Sequence, residues 1–235
     1  AAGATGEFYA GGIIADGEFG NRDGLVVRPS ASGLLDWSAY LGDTGNDSVL
    51  GLALCGSQLI AVGRCPGTTS NPSAAFGMIV SLDPETGTEN WSNLLVGNYS
   101  GTNQLAAVAA APDGGFYTVG YTTAKSKASG VSDYQGLDGI SYGTAFKGAL
   151  DAVAMKYSST GELLWWRYLG GTNDDEATAC AVGTDGALYI GGSTHSAGWA
   201  TISSGTPAIE KNSGFVTTPG ADGSHLWTLF FCATT

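Results

Sequence analysis

Charged residues are scarce in this sequence of 235 residues, at 13%, about half the share of an average soluble protein. Basic residues are the scarcer kind, with 9 Lys and Arg against 21 Asp and Glu, which gives a formal net charge of −12. A surface this acidic repels phosphate backbones, so we expect no nucleic-acid partner. No apolar run reaches the about 18 residues that cross a bilayer, so we expect no membrane insertion.

Histidine and proline are also rare, with 2 and 7 residues, whereas glycine is abundant with 38. Glycine without a triplet period indicates many tight turns rather than a collagen-like or disordered chain. The two histidines, His195 and His225, are predicted to lie at opposite ends of one sheet, so they form no joint site. Because catalysis needs convergent groups with tuned pKa values, we expect no enzyme and no catalytic residue.

The chain begins AAGATG, without an initiator Met or a signal peptide, which suggests a processed chain or a piece of a longer one. Three Asn-x-Ser sequons, at Asn46, Asn90 and Asn98, are candidate glycosylation sites. Together with the few lysines and the acidic balance, they favour a secreted or cell-surface glycoprotein.

A four-residue spacing between glycine and tryptophan recurs four times, in Gly33–Trp37, Gly87–Trp91, Gly161–Trp165 and Gly223–Trp227. A second mark appears once in each copy: a tight turn followed by an apolar segment that ends in glycine, at Gly12, Gly63, Gly120 and Gly192. Each copy is therefore predicted to hold four short strands, A to D in chain order. The glycine-ended segment is strand B, and the tryptophan lies in strand D.

Tandem four-stranded units predict an all-β chain that folds as a β-propeller of antiparallel blades around an axis. Four blades are visible, in units of about 1–42, 43–97, 98–170 and 171–235 of one array. The repeated tryptophans Trp37, Trp91, Trp165 and Trp227 are expected to fill the wedges between blades. The first blade lacks most of its innermost strand A, because only Ala1 and Ala2 precede its A–B turn.

One unit resembles the SBBP-type β-propeller repeat over residues 151–192. The motifs that carry the resemblance are Asp151–Tyr157, Ser158–Trp165, Tyr168–Ala177 and Asp185–Gly192. The resemblance implies a secreted or surface protein and a ring of about seven blades, but no chemistry. With four blades here, the array is either a piece of a longer ring or a closed four-blade unit. Its missing inner strand could also come from another chain.

The connections B–C and D–A emerge at one end of the blades, which we call the loop face, and the long connections all belong to this set. Tyr134 and Tyr142 lie in one long B–C loop, and His195 and Trp199 lie in another. Long loops on a rigid scaffold commonly bind ligands, so these four residues are binding candidates. The alternative is that the loops only cover the blade ends.

Two D–A loops are acidic, and they contain Asp43 with Asp47 and Asp174 with Asp175. Oxygen-rich loops can bind Ca²⁺, but the ligand spacing of a known calcium loop is absent. Capping of turn amides by the same carboxylates is the alternative. We expect no cofactor, with Ca²⁺ as the lesser possibility.

Four cysteines are present, and their predicted positions do not bring any pair within the about 7 Å between α-carbons that a disulfide needs. Cys55 and Cys180 are expected to be buried free thiols of inner strands. Cys65 and Cys232 are expected on the loop face, where they could bond to a neighbouring chain.

These features favour a non-catalytic extracellular structural or assembly protein, a propeller scaffold that packs with other chains in a surface, filament or matrix. Its partners would be other protein chains, through self-association or a larger assembly. The alternative is a module that binds carbohydrate or protein through the long B–C loops. An enzyme is a third reading: a lyase or hydrolase would need paired carboxylates, and a quinoprotein would need more blades and a cofactor pocket.

Overall fold

The computed structural model describes residues 1–3, 6–66, 75–95, 101–123, 149–197, 199, 202–204 and 213–231. Within these ranges the chain forms sixteen β-strands in four sheets and no helix. The first sheet has three antiparallel strands, in the order β1 (Ala10–Ala15), β2 (Arg22–Pro29) and β3 (Leu35–Leu41).

The second and third sheets have four antiparallel strands each, joined in chain order. The second comprises β4 (Ser48–Cys55), β5 (Gln58–Pro66), β6 (Ala75–Leu82) and β7 (Glu89–Leu95). The third comprises β8 (Asn103–Ala110), β9 (Phe116–Thr122), β10 (Asp151–Tyr157) and β11 (Leu163–Leu169).

The fourth sheet repeats this order and adds one strand. It comprises β12 (Asp175–Val182), β13 (Leu188–Thr194), β15 (Ser213–Pro219) and β16 (His225–Phe231), with the short β14 (Ile202–Ser204). Strand β14 pairs in parallel with β16 at the outer edge. The sequence did not predict this strand, because it lies in a long loop without the repeat marks.

Buried apolar side chains form three clusters, one between each pair of consecutive sheets. The innermost strands β4, β8 and β12 contact one another in succession. Four sheets that stack side by side around an axis, each burying one face against the next, are the blades of a β-propeller. The predicted fold class is therefore confirmed.

The glycine that ends the core of strand B is required by a bulge in strand A. The pairing of β4, β8 and β12 with strand B shifts by one residue at the same position in each blade. The shift presses the strand A backbone onto strand B, so that a β-carbon at Gly63, Gly120 or Gly192 would lie 1.8–1.9 Å from a carbonyl oxygen of strand A. Only glycine fits there.

The first blade lacks most of this innermost strand, as predicted. Only a short remnant is present: Tyr9 N–H donates to Ala1 O (2.8 Å), and Ala2 forms an isolated bridge with Phe8. A β-carbon at Gly12, the counterpart of Gly63, would meet nothing within 4 Å. The regular strand β1 begins at Ala10.

The four blades form an open arc. Among the described residues, no cluster of buried side chains joins the fourth sheet to the first. One face of the first blade and one face of the fourth blade therefore remain uncovered. We call them the head face and the tail face.

Candidate interaction surfaces

Each of the first three repeat tryptophans packs on the glycine of the next repeat. A β-carbon added at Gly87 would lie 2.5 Å from Trp37 Cε3, and one at Gly161 would lie 2.9 Å from Trp91 Cζ2. The third contact, Trp165 on Gly223, has the same geometry. These glycines lie in tight turns between strands C and D and have a φ of +73° to +81°. Glycine is needed there for two reasons: it adopts the positive φ without strain, and it leaves room for the indole.

Side-chain donors complete each contact by binding carbonyl groups of the same turn. Trp37 Nε1 donates to Pro84 O (3.1 Å), and Trp165 Nε1 donates to Ala221 O (3.0 Å). Between the second and third blades, Gln58 Nε2 takes this role with Ser159 O (2.6 Å). Each blade thus contacts the following blade through the packed tryptophan and through hydrogen bonds to the C–D turn of that following blade.

A tyrosine of strand B supports the tryptophan in three blades. The ring centroids of Tyr9 and Trp37 are 6.0 Å apart, and those of Tyr117 and Trp165 are 5.9 Å apart. Tyr189 and Trp227 form the same pair at 6.3 Å in the fourth blade. The tail face thus carries the same aromatic pair that receives the next blade elsewhere in the chain.

The head and tail faces expose residues whose counterparts are buried. The first apolar residue of strand B is 0–2% exposed at Leu59, Phe116 and Leu188, but 49% exposed at Phe8 on the head face. The last residue of strand D is 3–7% exposed at Leu41, Leu95 and Leu169, but 52% exposed at Phe231 on the tail face. Both faces therefore expose positions that are buried between blades elsewhere in the chain.

The acidic D–A loops are organised by one buried carboxylate each. Asp175 Oδ2 accepts hydrogen bonds from Gly171 N–H and Ser196 Oγ, both at 2.8 Å, and its Oδ1 accepts one from Thr194 Oγ1. Asp47 Oδ2 accepts one from Asp43 N–H (3.0 Å). Burial raises the pKa of both Asp47 and Asp175. Asp174 is exposed, and it contacts His195 through its backbone carbonyl.

The nearest approach to a metal site in the described ranges is the group of Asp43, Asp47 and Cys65, whose ligand atoms lie within 4.8 Å of one another. A comparison of the blades gives this group a structural explanation. Cys65 ends strand B where Thr122 and Thr194 stand in the next two blades, and both threonines donate a hydroxyl to the residue that matches Asp47. The thiol of Cys65 stands in this place, but it donates to Pro66 O (3.6 Å), and Asp47 Oδ1 is buried without a hydrogen-bond partner among the described residues. Burial raises the pKa of the Cys65 thiol. Ca²⁺ binding stays a prediction.

The Cys65 position corrects the expectation of an accessible thiol on the loop face. The residue does end strand B, but its side chain is buried against Asp47. Cys55 is buried as expected and Cys180 is half-buried, and burial raises the pKa of both thiols to about 12. Cys232 lies outside the described residues.

Trp199 does not stand free as a binding residue. Its ring packs edge-on against Phe215 (5.0 Å) and Phe230 (5.3 Å), and its Nε1 donates to Thr194 Oγ1 (3.2 Å). It therefore belongs to the core of the fourth blade, which leaves little of the ring for a ligand. His195 is exposed beside it on the loop face. Tyr134 and Tyr142 lie outside the described residues.

The two histidines lie at opposite ends of the fourth blade. His195 follows the end of β13, and His225 begins β16 opposite Pro219. His225 Nε2 lies 2.7 Å from Thr228 Oγ1, and burial lowers the pKa of its imidazole.

Asn46 and Asn90 are exposed, so both sequons are accessible to glycosylation. Asn98 is outside the described residues. No helix in the described part of the chain is long and apolar enough to cross a membrane.

The sequence pointed to the tryptophans but not to their partners. The spacing of Gly33 and Trp37 suggests a contact within one unit, whereas the structure joins each tryptophan to the glycine of the following unit. Contacts between successive units leave Gly33 and Trp227 without such a glycine–tryptophan contact among the described residues.

The fold and its surfaces define the chain as an open four-blade β-propeller array. No protein-family model matches it, and no curated protein matches it. The resemblance of residues 151–192 to the SBBP-type repeat therefore stays a prediction.

Solved structures that are similar to this chain include the following two. One is a quinohemoprotein alcohol dehydrogenase from Comamonas testosteroni, at 12% identity and a TM-score of 0.47, over 87% of this chain and 32% of that one. The other is BamB from Moraxella catarrhalis, at 14% identity and a TM-score of 0.28, over 97% and 77%. The chain thus spans 32% of the dehydrogenase's length. Likenesses this distant carry no argument about its function.

Proposed function

We propose that this chain is a non-catalytic extracellular structural or assembly protein, a propeller scaffold that packs with other protein chains. The observation that carries the proposal is the pair of uncovered blade faces. Phe8 on the head face and Phe231 on the tail face are half-exposed, although the matching residues inside the arc are buried. Exposed apolar surface of this kind commonly marks a protein interface.

The polar groups of the described residues support a structural role. The buried carboxylates Asp47 and Asp175 are engaged by loop amides or hydroxyls of their own blades. The half-buried Asp83 and the exposed Asp222 cap tight turns. These hydrogen bonds give the carboxylates a role in the fold, while Asp47 Oδ1 is left without a partner among the described residues.

An extracellular location is supported by the exposed Asn46 and Asn90 sequons and by the net charge of −12. Expression in a glycosylating host tests this part of the proposal. We expect the mass to fall on treatment with an amidase that removes N-linked glycans, and Asn46→Gln with Asn90→Gln to reduce the shift. A chain with no glycan at any sequon would count against the location.

Sedimentation velocity over a wide range of concentration tests the assembly role. We expect association that depends on concentration, with retained β-structure in circular dichroism. A folded chain that keeps the mass of one copy at every concentration contradicts the proposal.

The binding-module alternative depends on the long B–C loops. A glycan array tests it, with Trp199→Ala as the variant. Because Trp199 packs in the blade core, loss of binding in that variant needs a check of its thermal stability.

A further inference from the structure

We infer that Asp43, Asp47 and Cys65, at the loop-face end of the second blade, bind one thiophilic divalent cation, with Zn²⁺ as the ion that fits best. Their ligand atoms lie within 4.8 Å of one another. The inference goes beyond the proposed assembly role and does not depend on it. It rests on a carboxylate oxygen that the fold leaves unsatisfied, on the equivalent loop of another blade, and on the chemistry of the three ligands.

The central observation is the buried oxygen Asp47 Oδ1. Asp47 is 1% exposed, and its Oδ2 accepts a hydrogen bond from Asp43 N–H (3.0 Å), whereas Oδ1 has no partner among the described residues. The thiol of Cys65 lies beside this carboxylate but donates to Pro66 O (3.6 Å). A buried carboxylate oxygen without a donor is costly, so this position favours a bound cation.

The equivalent loop of the fourth blade shows what the second blade lacks. There, Asp175 Oδ1 accepts a hydrogen bond from Thr194 Oγ1, and Oδ2 accepts one from Gly171 N–H (2.8 Å). Cys65 stands in the place of Thr194, and Asp43 stands in the place of Gly171. The second blade thus carries a thiol and a second carboxylate where the fourth has a hydroxyl and a glycine. This comparison accounts for the position of Cys65 but leaves the unsatisfied oxygen unexplained.

A further buried carboxylate adds negative charge near the site. Asp23 is 0% exposed, its Oδ2 accepts from Phe19 N–H (2.8 Å), and its Oδ1 has no partner among the described residues. Burial is the main cause that raises the pKa of Asp47, and the charges of Asp43 and Asp23 add to it. Burial also raises the pKa of the Cys65 thiol, and both neighbouring carboxylates add to that shift. A bound cation would relieve this repulsion.

The three ligands select the ion. A thiolate suits Zn²⁺, whereas Ca²⁺ and Mg²⁺ take oxygen ligands. Neighbouring ligand atoms around a tetrahedral Zn²⁺ are about 3.3–3.5 Å apart, because its bonds to oxygen and sulfur are about 2.0 Å and about 2.3 Å long. Small side-chain rotations would bring the group to this spacing. On binding, Cys65 releases its proton to solvent, and water takes the fourth position. Asp43 is half-buried, so the ion can enter from the loop face.

The test compares metal binding by the wild type and four variants, starting from protein treated with a chelator and a reductant. Cys65→Thr removes the thiolate but supplies the hydroxyl of the fourth blade, so the metal-free fold should stay intact. Asp43→Asn removes a charge but keeps an oxygen that can accept from Gly45 N–H, as Asp43 Oδ1 does (2.8 Å). Cys180→Ala and Asp174→Asn are the matched controls, since they remove a half-buried thiol and an exposed carboxylate elsewhere.

Calorimetric titration with Zn²⁺ gives the stoichiometry and the dissociation constant, and Co²⁺ reports a thiolate ligand through a charge-transfer absorption band. We expect one equivalent of Zn²⁺ and the Co²⁺ band in the wild type and in both controls, and a melting temperature that rises with Zn²⁺ concentration. Loss of an outer partner of a metal ligand costs about 10–100-fold in affinity, so loss of the Cys65 ligand should cost about 100-fold or more. Cys65→Thr should also abolish the band, and a large excess of Ca²⁺ should leave Zn²⁺ bound.

Several results would overturn the inference. One is a wild type that takes up no stoichiometric Zn²⁺, and another is a Cys65→Thr variant that keeps the same affinity. Loss of binding in Cys180→Ala would place the ion at another thiol, and displacement by Ca²⁺ would mean a site made of oxygen ligands. If circular dichroism shows that Cys65→Thr is unfolded, Asp43→Asn decides: a weaker affinity supports the site, and an unchanged affinity contradicts it.

Discussion

The indole of Trp165 lies so close to Gly223 of the next blade that a β-carbon on this glycine would be 2.9 Å from Trp165 Cδ2. The same contact joins the other consecutive blades, and each is formed between repeats rather than within one. A chain of such contacts necessarily begins with a free glycine turn and ends with a free tryptophan. This relationship explains the nature of the two ends of the array.

Alanine substitutions at Gly223 and at Gly33 separate the energetic cost of the turn conformation from that of losing the tryptophan contact. Both glycines have nearly the same φ, +79° and +81°, so the backbone cost of about 1–2 kcal/mol should be the same. Gly223→Ala also forces a methyl group into Trp165, which adds about 1–3 kcal/mol. Urea unfolding of the monomer measures the difference, and equal losses for the two variants would contradict the contact.

The bulge in strand A is tested by a second pair of variants, one in a blade that has the bulge and one in the first blade, which lacks it. Gly120→Ala places a β-carbon 1.8 Å from Gln104 O, a backbone atom that cannot turn away, and we expect a loss of about 3 kcal/mol or more. Gly12→Ala meets nothing within 4 Å, so its effect should stay within about 0.5 kcal/mol. Thermal unfolding of both variants measures this. A comparable loss at Gly12 would mean that an inner strand covers the first blade.

Substitution of Cys65 by threonine should preserve the stability of the fold, whereas substitution by valine should lower it. Threonine restores the hydroxyl donor that Thr122 and Thr194 provide in the matching positions, so Cys65→Thr should change stability by less than about 1 kcal/mol. Valine has a similar shape but no donor, and it should cost about 1–3 kcal/mol because Asp47 then loses its buried polar neighbour. If the two variants are equally stable, the side chain at this position has no polar role.

The pH dependence of stability should reveal the buried Asp175. Burial raises its pKa in the folded state, so between the unfolded and folded pKa values the native protein holds the extra proton. This contribution is complete below the unfolded pKa of about 3.9 and declines as the pH rises through the folded value. Asp175→Asn removes the titration, so the variant should be most destabilised relative to wild type at acidic pH. Urea midpoints from pH 3 to pH 7 measure it, and a penalty that grows with pH would reverse the assignment.

The fold was predictable because its strongest signals are local and repeated. A tryptophan four residues after a glycine and a glycine at the end of strand B both recur with every blade. The structure gives the second mark a cause that the sequence does not show: Gly63, Gly120 and Gly192 are fixed by a bulge in the neighbouring strand.

The interaction surfaces were less predictable, because they depend on contacts between repeats. Trp199 was a reasonable binding candidate from its place in a long loop, yet its ring completes the core with Phe215 and Phe230. Phe8 and Phe231 look like ordinary core residues in sequence. Only the open arc reveals that their side chains lack a covering blade.

Hydroxyl-radical footprinting with mass spectrometry tests the open arc most directly, because it measures the exposure of each phenylalanine. At low concentration we expect rapid modification of Phe8, Phe231 and the loop residue Phe19, which are 46–52% exposed, and protection of the buried Phe116 and Phe230. As the concentration rises, Phe8 and Phe231 should become protected together while Phe19 stays reactive. Protection of Phe8 and Phe231 in the isolated monomer would contradict the account, because it would mean that the four blades close on themselves.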